Sequence, residues 1–114
     1  METFNTAIID IGSNTIRLVI YSYSKKAGLH EISNVKKVAR LRKYIQRDGN
    51  MSEEGIEKLK NTLISFKHIL EDFDVAKMKV VATAAIRQAK NNEEILLRME
   101  QETGIKIELL SEEE

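Results

Sequence analysis

The residues able to do chemistry fall in two stretches. The first is Ala7-Ile8-Ile9-Asp10-Ile11-Gly12-Ser13-Asn14-Thr15-Ile16-Arg17-Leu18-Val19-Ile20, where two apolar, β-branched runs flank a polar centre. Strand, tight turn, strand is the expected layout. Gly12 takes a positive φ without steric cost and Asn14 tolerates one better than most residues, so the turn is expected to draw on that freedom. Such a tip leaves backbone N–H groups unpaired and adds the Ser13 and Thr15 hydroxyls and the Asn14 amide. These donors suit an anion, phosphate above all. Asp10 complicates the picture, because a carboxylate repels a phosphate unless positive charge lies between them. It therefore implies a divalent cation, or a water held by one. The competing interpretation is a plain β-hairpin with a glycine in its turn.

The second stretch, Thr83-Ala84-Ala85-Ile86-Arg87-Gln88-Ala89-Lys90-Asn91, follows the short apolar strand Lys79-Val80-Val81-Ala82. In open α/β sheets ligands gather where strands deliver their carboxyl ends. Thr83 sits at such an end and Arg87 follows one helical turn later. An arginine there can offer its planar fork to phosphate oxygens; otherwise it is a surface arginine on a short helix.

The elements that must position these groups follow from patterning. Thr6 to Ile11 is nearly continuously apolar, which predicts a strand buried on both faces. From Thr15 to Tyr23 the pattern alternates, with Ile16, Leu18 and Ile20 on one face and Thr15, Arg17, Val19 and Tyr21 on the other. Ser24 to Gly28 reads as a hairpin turn and Leu29 to about Leu41 as a third strand. Lys36, Lys37, Arg40, Arg42, Lys43 and Arg47 cluster near its end. They protect an edge strand by charge, or they form a track for a long polyanion.

Tyr44 to Asn50 is expected to be a loop. Ser52 then caps a helix whose apolar stripe, Ile56, Leu59, Leu63, Phe66, Leu70 and Phe73, ends near Phe73. Asn91 with Glu94 has the form of a capping box opening another helix, with Ile95, Leu96 and Met99 on its buried side and Gly104 at its end. Ile105 to Leu110 is the last expected strand. Three antiparallel strands followed by alternating helix and strand predict a mixed five-stranded sheet with helices packed on it, an α/β fold.

Length and composition bound the function. The 114 residues suffice for one compact domain. Basic and acidic residues balance at 18 each, so bulk charge gives no reason to expect a nucleic-acid or membrane partner. The absence of cysteine excludes disulfides and thiolate chemistry. His30 and His68 have no metal-ligand companion at useful spacing. With no signal-peptide layout and no apolar run of membrane-spanning length, a cytoplasmic protein is expected.

Taken together, three stretches resemble one family. Asp10-Ile11-Gly12-Ser13-Asn14-Thr15-Ile16-Arg17-Leu18 is similar to the first phosphate motif of the exopolyphosphatase / guanosine-pentaphosphate phosphatase (Ppx/GppA) family. Ala82 to Asn91 resembles its ATxAxRxAxN motif, and Thr103 to Ser111 leads, as in the family, into an SGxEEA motif. The resemblance implies a ribonuclease-H-like lobe of the actin/hexokinase/Hsp70 superfold and Mg²⁺-dependent hydrolysis of a terminal phosphoanhydride in polyphosphate or guanosine pentaphosphate. By position, Asp10 would place the metal or its water. Gly12, Ser13, Asn14 and Thr15 would cradle phosphate, Arg87 would clamp its oxygens, and Thr83 would shape the loop that holds it.

The family's general base is the last glutamate of SGxEEA. Here Ser111 is followed by Glu112, Glu113 and Glu114, with Glu112 where the family has glycine. On that alignment the base is the residue after Glu114; with a gap, it is Glu114 itself. No second Asp-Gly-Gly-Gly phosphate loop occurs, so residues 1–114 are expected to be a single N-terminal phosphate-binding lobe, inactive alone, whose partner is a C-terminal lobe absent from this chain. The face such a lobe would cover leaves a homodimer open. Two alternatives share the fold: a nucleotide-binding, kinase-like lobe, and a non-catalytic regulatory or interaction domain.

Overall fold

The computed structural model describes residues 3–111. Strands β1 (Thr3–Ile11), β2 (Thr15–Ser24) and β3 (Gly28–Val38) form an antiparallel meander, and a single turn of 3-10 helix spans Leu41–Tyr44. Helix α1 (Glu53–Leu70) leads to β4 (Val75–Ala82), then to α2 (Ala84–Gln88), α3 (Asn92–Thr103) and β5 (Glu108–Leu109). The sheet order is β3-β2-β1-β4-β5, with β4 parallel to both β1 and β5. This is the mixed five-stranded sheet expected from the sequence. Among the described residues no helix is long and apolar enough to cross a membrane.

The core lies on one side of the sheet. Ala7, Ile9, Ile11, Ile16, Leu18, Ile20, Val80 and Ala82 form its floor, while Ile56, Leu59, Leu63 and Phe66 of α1 and Ile95 and Met99 of α3 close over it. Ser52 starts α1 by accepting the Gly55 N–H at 3.2 Å, and Glu53 and Glu54 sit in the first turn, where the helix dipole favours them. Arg98 ties α3 to α1 through Glu53 at 2.8 Å and also meets Glu102 at 3.4 Å, while Lys60 meets Glu102 at 3.4 Å. Glu102 first, and then Glu57 at 3.5 Å, hold the Lys60 ammonium above its ordinary pKa, and Glu53 does the same for the Arg98 guanidinium.

Several expectations are corrected. β1 is buried on one face only: Ile9 is sealed, whereas Ile8 is 38% exposed and Asp10 is open. Both long helices, α1 and α3, lie on the Ile9 side, so the apolar run has a solvent face. β3 stops at Val38, because Arg40 turns left-handed (φ 53°, ψ 51°) and starts the 3-10 turn inside the segment read as strand and loop. α1 ends at Leu70, and Phe73 packs half-buried from the following turn. β4 starts at Val75, earlier than its buried residues suggest, and β5 keeps only Glu108–Leu109 of the longer strand expected.

The capping box at Asn91 is also absent. Its side chain makes no cap bond; its Oδ1 accepts the Met51 N–H at 2.9 Å and its Nδ2 donates to the Met51 carbonyl at 3.1 Å. The amide matches both polar groups of one buried peptide residue, which a helix cap would leave unpaired. The neighbouring Lys90 N–H donates to the Gly49 carbonyl at 2.8 Å. The loop from Ile45 to Met51 is thus fastened to the elbow between α2 and α3.

Candidate phosphate site at the carboxyl end of the parallel strands

β1, β4 and β5 run parallel, so their carboxyl ends share one edge of the sheet. Both chemistry-bearing stretches leave from that edge. Gly12, Ser13 and Asn14 form the link from β1 to β2, Thr83 follows β4, and Arg87 lies in α2 just beyond it.

The turn is built differently from the expectation. Neither Gly12 nor Asn14 has a positive φ; among the described residues only Arg40, Gly28, Gly49 and Gly104 do. Gly12 is required for closeness instead. Its N–H donates to the Thr15 carbonyl at 2.9 Å, and a Cβ built at Gly12 would lie 3.0 Å from that same oxygen. The two carbonyls at the tip face the segment after β3. Ala39 and Arg40 N–H groups both donate to the Asn14 carbonyl, at 3.0 and 2.9 Å, and the Arg42 N–H donates to the Ser13 carbonyl at 3.0 Å. Ser13 and Thr15 are half-buried and Asn14 is exposed.

Thr83 joins the two stretches. Its N–H donates to the Ile11 carbonyl at 3.1 Å and its hydroxyl reaches the same oxygen at 3.4 Å, which fixes the start of α2 one residue from Gly12. Arg87 is half-buried, and its Nη1 donates to the Leu110 carbonyl, just past β5, at 2.9 Å. Asn92 fastens the end of that short helix, its Nδ2 donating to the Arg87 carbonyl at 3.1 Å. One guanidinium edge is therefore spent on the sheet edge, and the remaining N–H groups are available to a ligand.

Asp10 lies directly across from Arg17 on the uncovered face, with Lys36 next to Arg17 on β3. Arg17 donates to Asn34 Oδ1 at 3.4 Å, and Asp10 makes no ion pair within 4.0 Å among the described residues. Its carboxylate thus stays open to a ligand, with Arg17 on the adjacent strand and Lys36 one strand further. No cluster of metal-ligating side chains occurs among the described residues. A lone carboxylate nevertheless fits the donor chemistry of Mg²⁺, which keeps several waters and takes one or two carboxylates together with substrate phosphates. Glu114, the candidate base, lies outside the described residues.

Two features were not anticipated. The left-handed Arg40 carries no sequence signal, since the residue types favoured there are glycine and asparagine. The Asn91 bridge had a signal, an asparagine before a helix, that fitted a commoner role.

Comparison with known proteins adds a second line of argument. The model of the family described as Ppx/GppA phosphatase family matches residues 19–114. The chain is similar to Exopolyphosphatase 1 of Mycobacterium tuberculosis, at 30% identity over 107 residues, covering 94% of this chain and 31% of the relative. It superposes on the Aquifex aeolicus Ppx/GppA family member with a TM-score of 0.90 and 35% identity, over 98% of this chain and 36% of that one. An exopolyphosphatase from Cytophaga hutchinsonii gives 0.85 and 28%, over 93% and 34%. Likeness to EutJ of Carboxydothermus hydrogenoformans, at 14% identity and TM-score 0.54, and to MamK, at 13% and 0.54, shows the fold alone, that of an actin/Hsp70-like lobe. The chain spans about a third of the length of the curated relatives it matches.

Proposed function

The chain belongs to the Ppx/GppA phosphatase family, and from that premise we propose that it is the phosphate-gripping N-terminal lobe of an exopolyphosphatase-type hydrolase. The reaction we assign to the whole enzyme is Mg²⁺-dependent hydrolysis of the terminal phosphoanhydride of polyphosphate or guanosine pentaphosphate. The observation that carries the reading is the joint between Thr83 and Ile11, which sets the Ser13–Thr15 turn and the Arg87 helix on one edge of the sheet.

Phosphoryl transfer asks the protein mainly for position and charge. The turn supplies backbone and hydroxyl donors, and Arg87 supplies the free part of its fork. The turn leaves β1, while Arg87 is anchored past β5. Two strand spacings, about 10 Å, separate those points. A span of that size suits a ligand with more than one phosphate group. Asp10 would hold Mg²⁺ through oxygen or water, and the ion would neutralise charge on the phosphates. The attacking water needs a base outside this site; Glu114 or the residue after it takes that role, and a second lobe supplies the opposing phosphate donors.

The test is titration of the ¹⁵N-labelled chain with tripolyphosphate and Mg²⁺. Shifts are expected at Ser13, Asn14, Thr15 and Arg87, with little phosphate released. Loss of one charge-assisted hydrogen bond, about 1.5–3 kcal/mol, should weaken binding by Arg87→Ala about tenfold or more. Shifts confined to Lys36–Arg47 would overturn the site, and robust phosphate release by the chain alone would overturn its assignment as a half-site.

A further inference from the structure

We propose that the segment Ala39–Arg42, locked by the left-handed backbone of Arg40, is a clamp that presets the Ser13–Thr15 turn for an anion. The inference rests on the phosphate-site reading above and concerns a part that reading leaves out.

Three N–H groups of the segment end on the two carbonyls of the tip: Ala39 and Arg40 on Asn14, Arg42 on Ser13. Every peptide bond described is trans. In a trans peptide the carbonyl and the following N–H point in opposite directions. Holding the Ser13 carbonyl towards Arg42 therefore aims the Asn14 N–H away from the segment, and holding the Asn14 carbonyl aims the Thr15 N–H away as well. Two successive donors are turned the same way before any ligand arrives. Successive main-chain N–H groups facing one side make an anion-binding concavity. Without the clamp each peptide plane of an exposed tip is free to rotate, and the ligand would have to order it.

Arg40 is what lets the segment reach both carbonyls. After β3 the chain must reverse so that three nearby N–H groups converge, and the left-handed conformation at residue 40 makes that reversal. An L-residue is disfavoured there, and a β-branched one strongly so. The conformation persists because the bonds to the turn over-determine it. Arg40 is thus a positioning residue that acts through its backbone, whatever its side chain adds.

The test compares Arg40→Gly with Arg40→Val and the milder Arg40→Ala. All three remove the same charge, so charge loss cannot account for a difference among them, and their tolerance of the left-handed conformation falls from Gly to Ala to Val. The probe is inorganic pyrophosphate with Mg²⁺, followed by amide shifts at Asn14 and Thr15. Hydrogen exchange at residues 39, 40 and 42 reports the clamp itself. Arg40→Gly should keep exchange protection and bind most tightly of the three. Arg40→Val should lose protection and bind about fivefold or more weaker than Arg40→Gly, with Arg40→Ala between them. Equal affinity across the three variants, with binding by the unaltered chain intact, would overturn the clamp and leave the phosphate site standing. No response at Asn14 and Thr15 in the unaltered chain would overturn the site itself, and the clamp with it.

Discussion

Replacing Asn91 should destabilise the domain far more than its place before a helix suggests. In Asn91→Ala the Met51 N–H and carbonyl lose their only side-chain partners, at 2.9 and 3.1 Å, and Met51 is 2% exposed. A buried polar group left unpaired costs about 1–3 kcal/mol. Asn91 itself is half-buried, so water relieves part of the penalty, and the two groups together should cost about 2–4 kcal/mol. For a domain of this size that corresponds to a drop in Tm of roughly 8–16 °C, at about 4 °C per kcal/mol. Thermal and urea melts followed by circular dichroism would measure it, with the urea m-value unchanged. Asn91→Asp separates bridge from cap. Aspartate caps helices as well as asparagine does, so a capping role would leave that variant neutral. In the bridge aspartate keeps the acceptor but sets a second oxygen against the Met51 carbonyl, and at least half of the loss should remain. The reasoning fails if Asn91→Asp melts with the unaltered protein, or if Asn91→Ala costs less than about 1 kcal/mol.

Other outcomes follow from the same coordinates. A Cβ at Gly55 would stand 2.4 Å from Tyr44 Cβ and 2.9 Å from Met51 Cγ, so Gly55→Ala should cost about 1–3 kcal/mol despite alanine's better helix propensity; a neutral melt would contradict that packing. Phe66, fully buried among core residues, should cost about 3–5 kcal/mol as Phe66→Ala in urea unfolding. Burial works against the charge of Glu102, but Lys60 and Arg98 more than offset it and hold its carboxyl below the ordinary value of 4.5. Its contribution to stability is therefore present above pH 4.5 and disappears as pH falls through the lowered folded value. The stability difference between the protein and Glu102→Gln should shrink over that acid range, and a difference that grew on acidification would refute the pairing.

The fold was legible wherever apolar spacing reports a single contact surface. The alternation in β2 and the stripe of α1 each name their buried face correctly, because one layer of core meets each of them. β1 misled for the same physical reason. Its run of apolar residues suits a strand covered on both sides, yet Ile8 and Val19 lie on a face that no described element covers. Hydrophobicity does not say how many layers a sheet receives. In the candidate site the residue types were legible and the backbone was not. Gly12 signalled a turn, but through close approach to Thr15 instead of a positive φ, and the positive φ fell to Arg40, whose side chain gives no hint of it. Asn91 shows the same limit: its chemistry was readable, while its partner, 40 residues away, depends on how the chain closes.

The joint between Thr83 and Ile11 spans 72 positions of sequence, and this sets the order in which the site can assemble. The meander needs only near neighbours and can form early, whereas the pairing of β1 with β4 must first close a long intervening loop. Until it does, β1 presents a bare edge, and an unpaired strand of this composition is a template for association with other chains. The turn can therefore form before Arg87 is brought to the same end of the sheet, and the anion binding proposed above should appear with the slowest phase of refolding, in step with protection of the β1 amides that face β4.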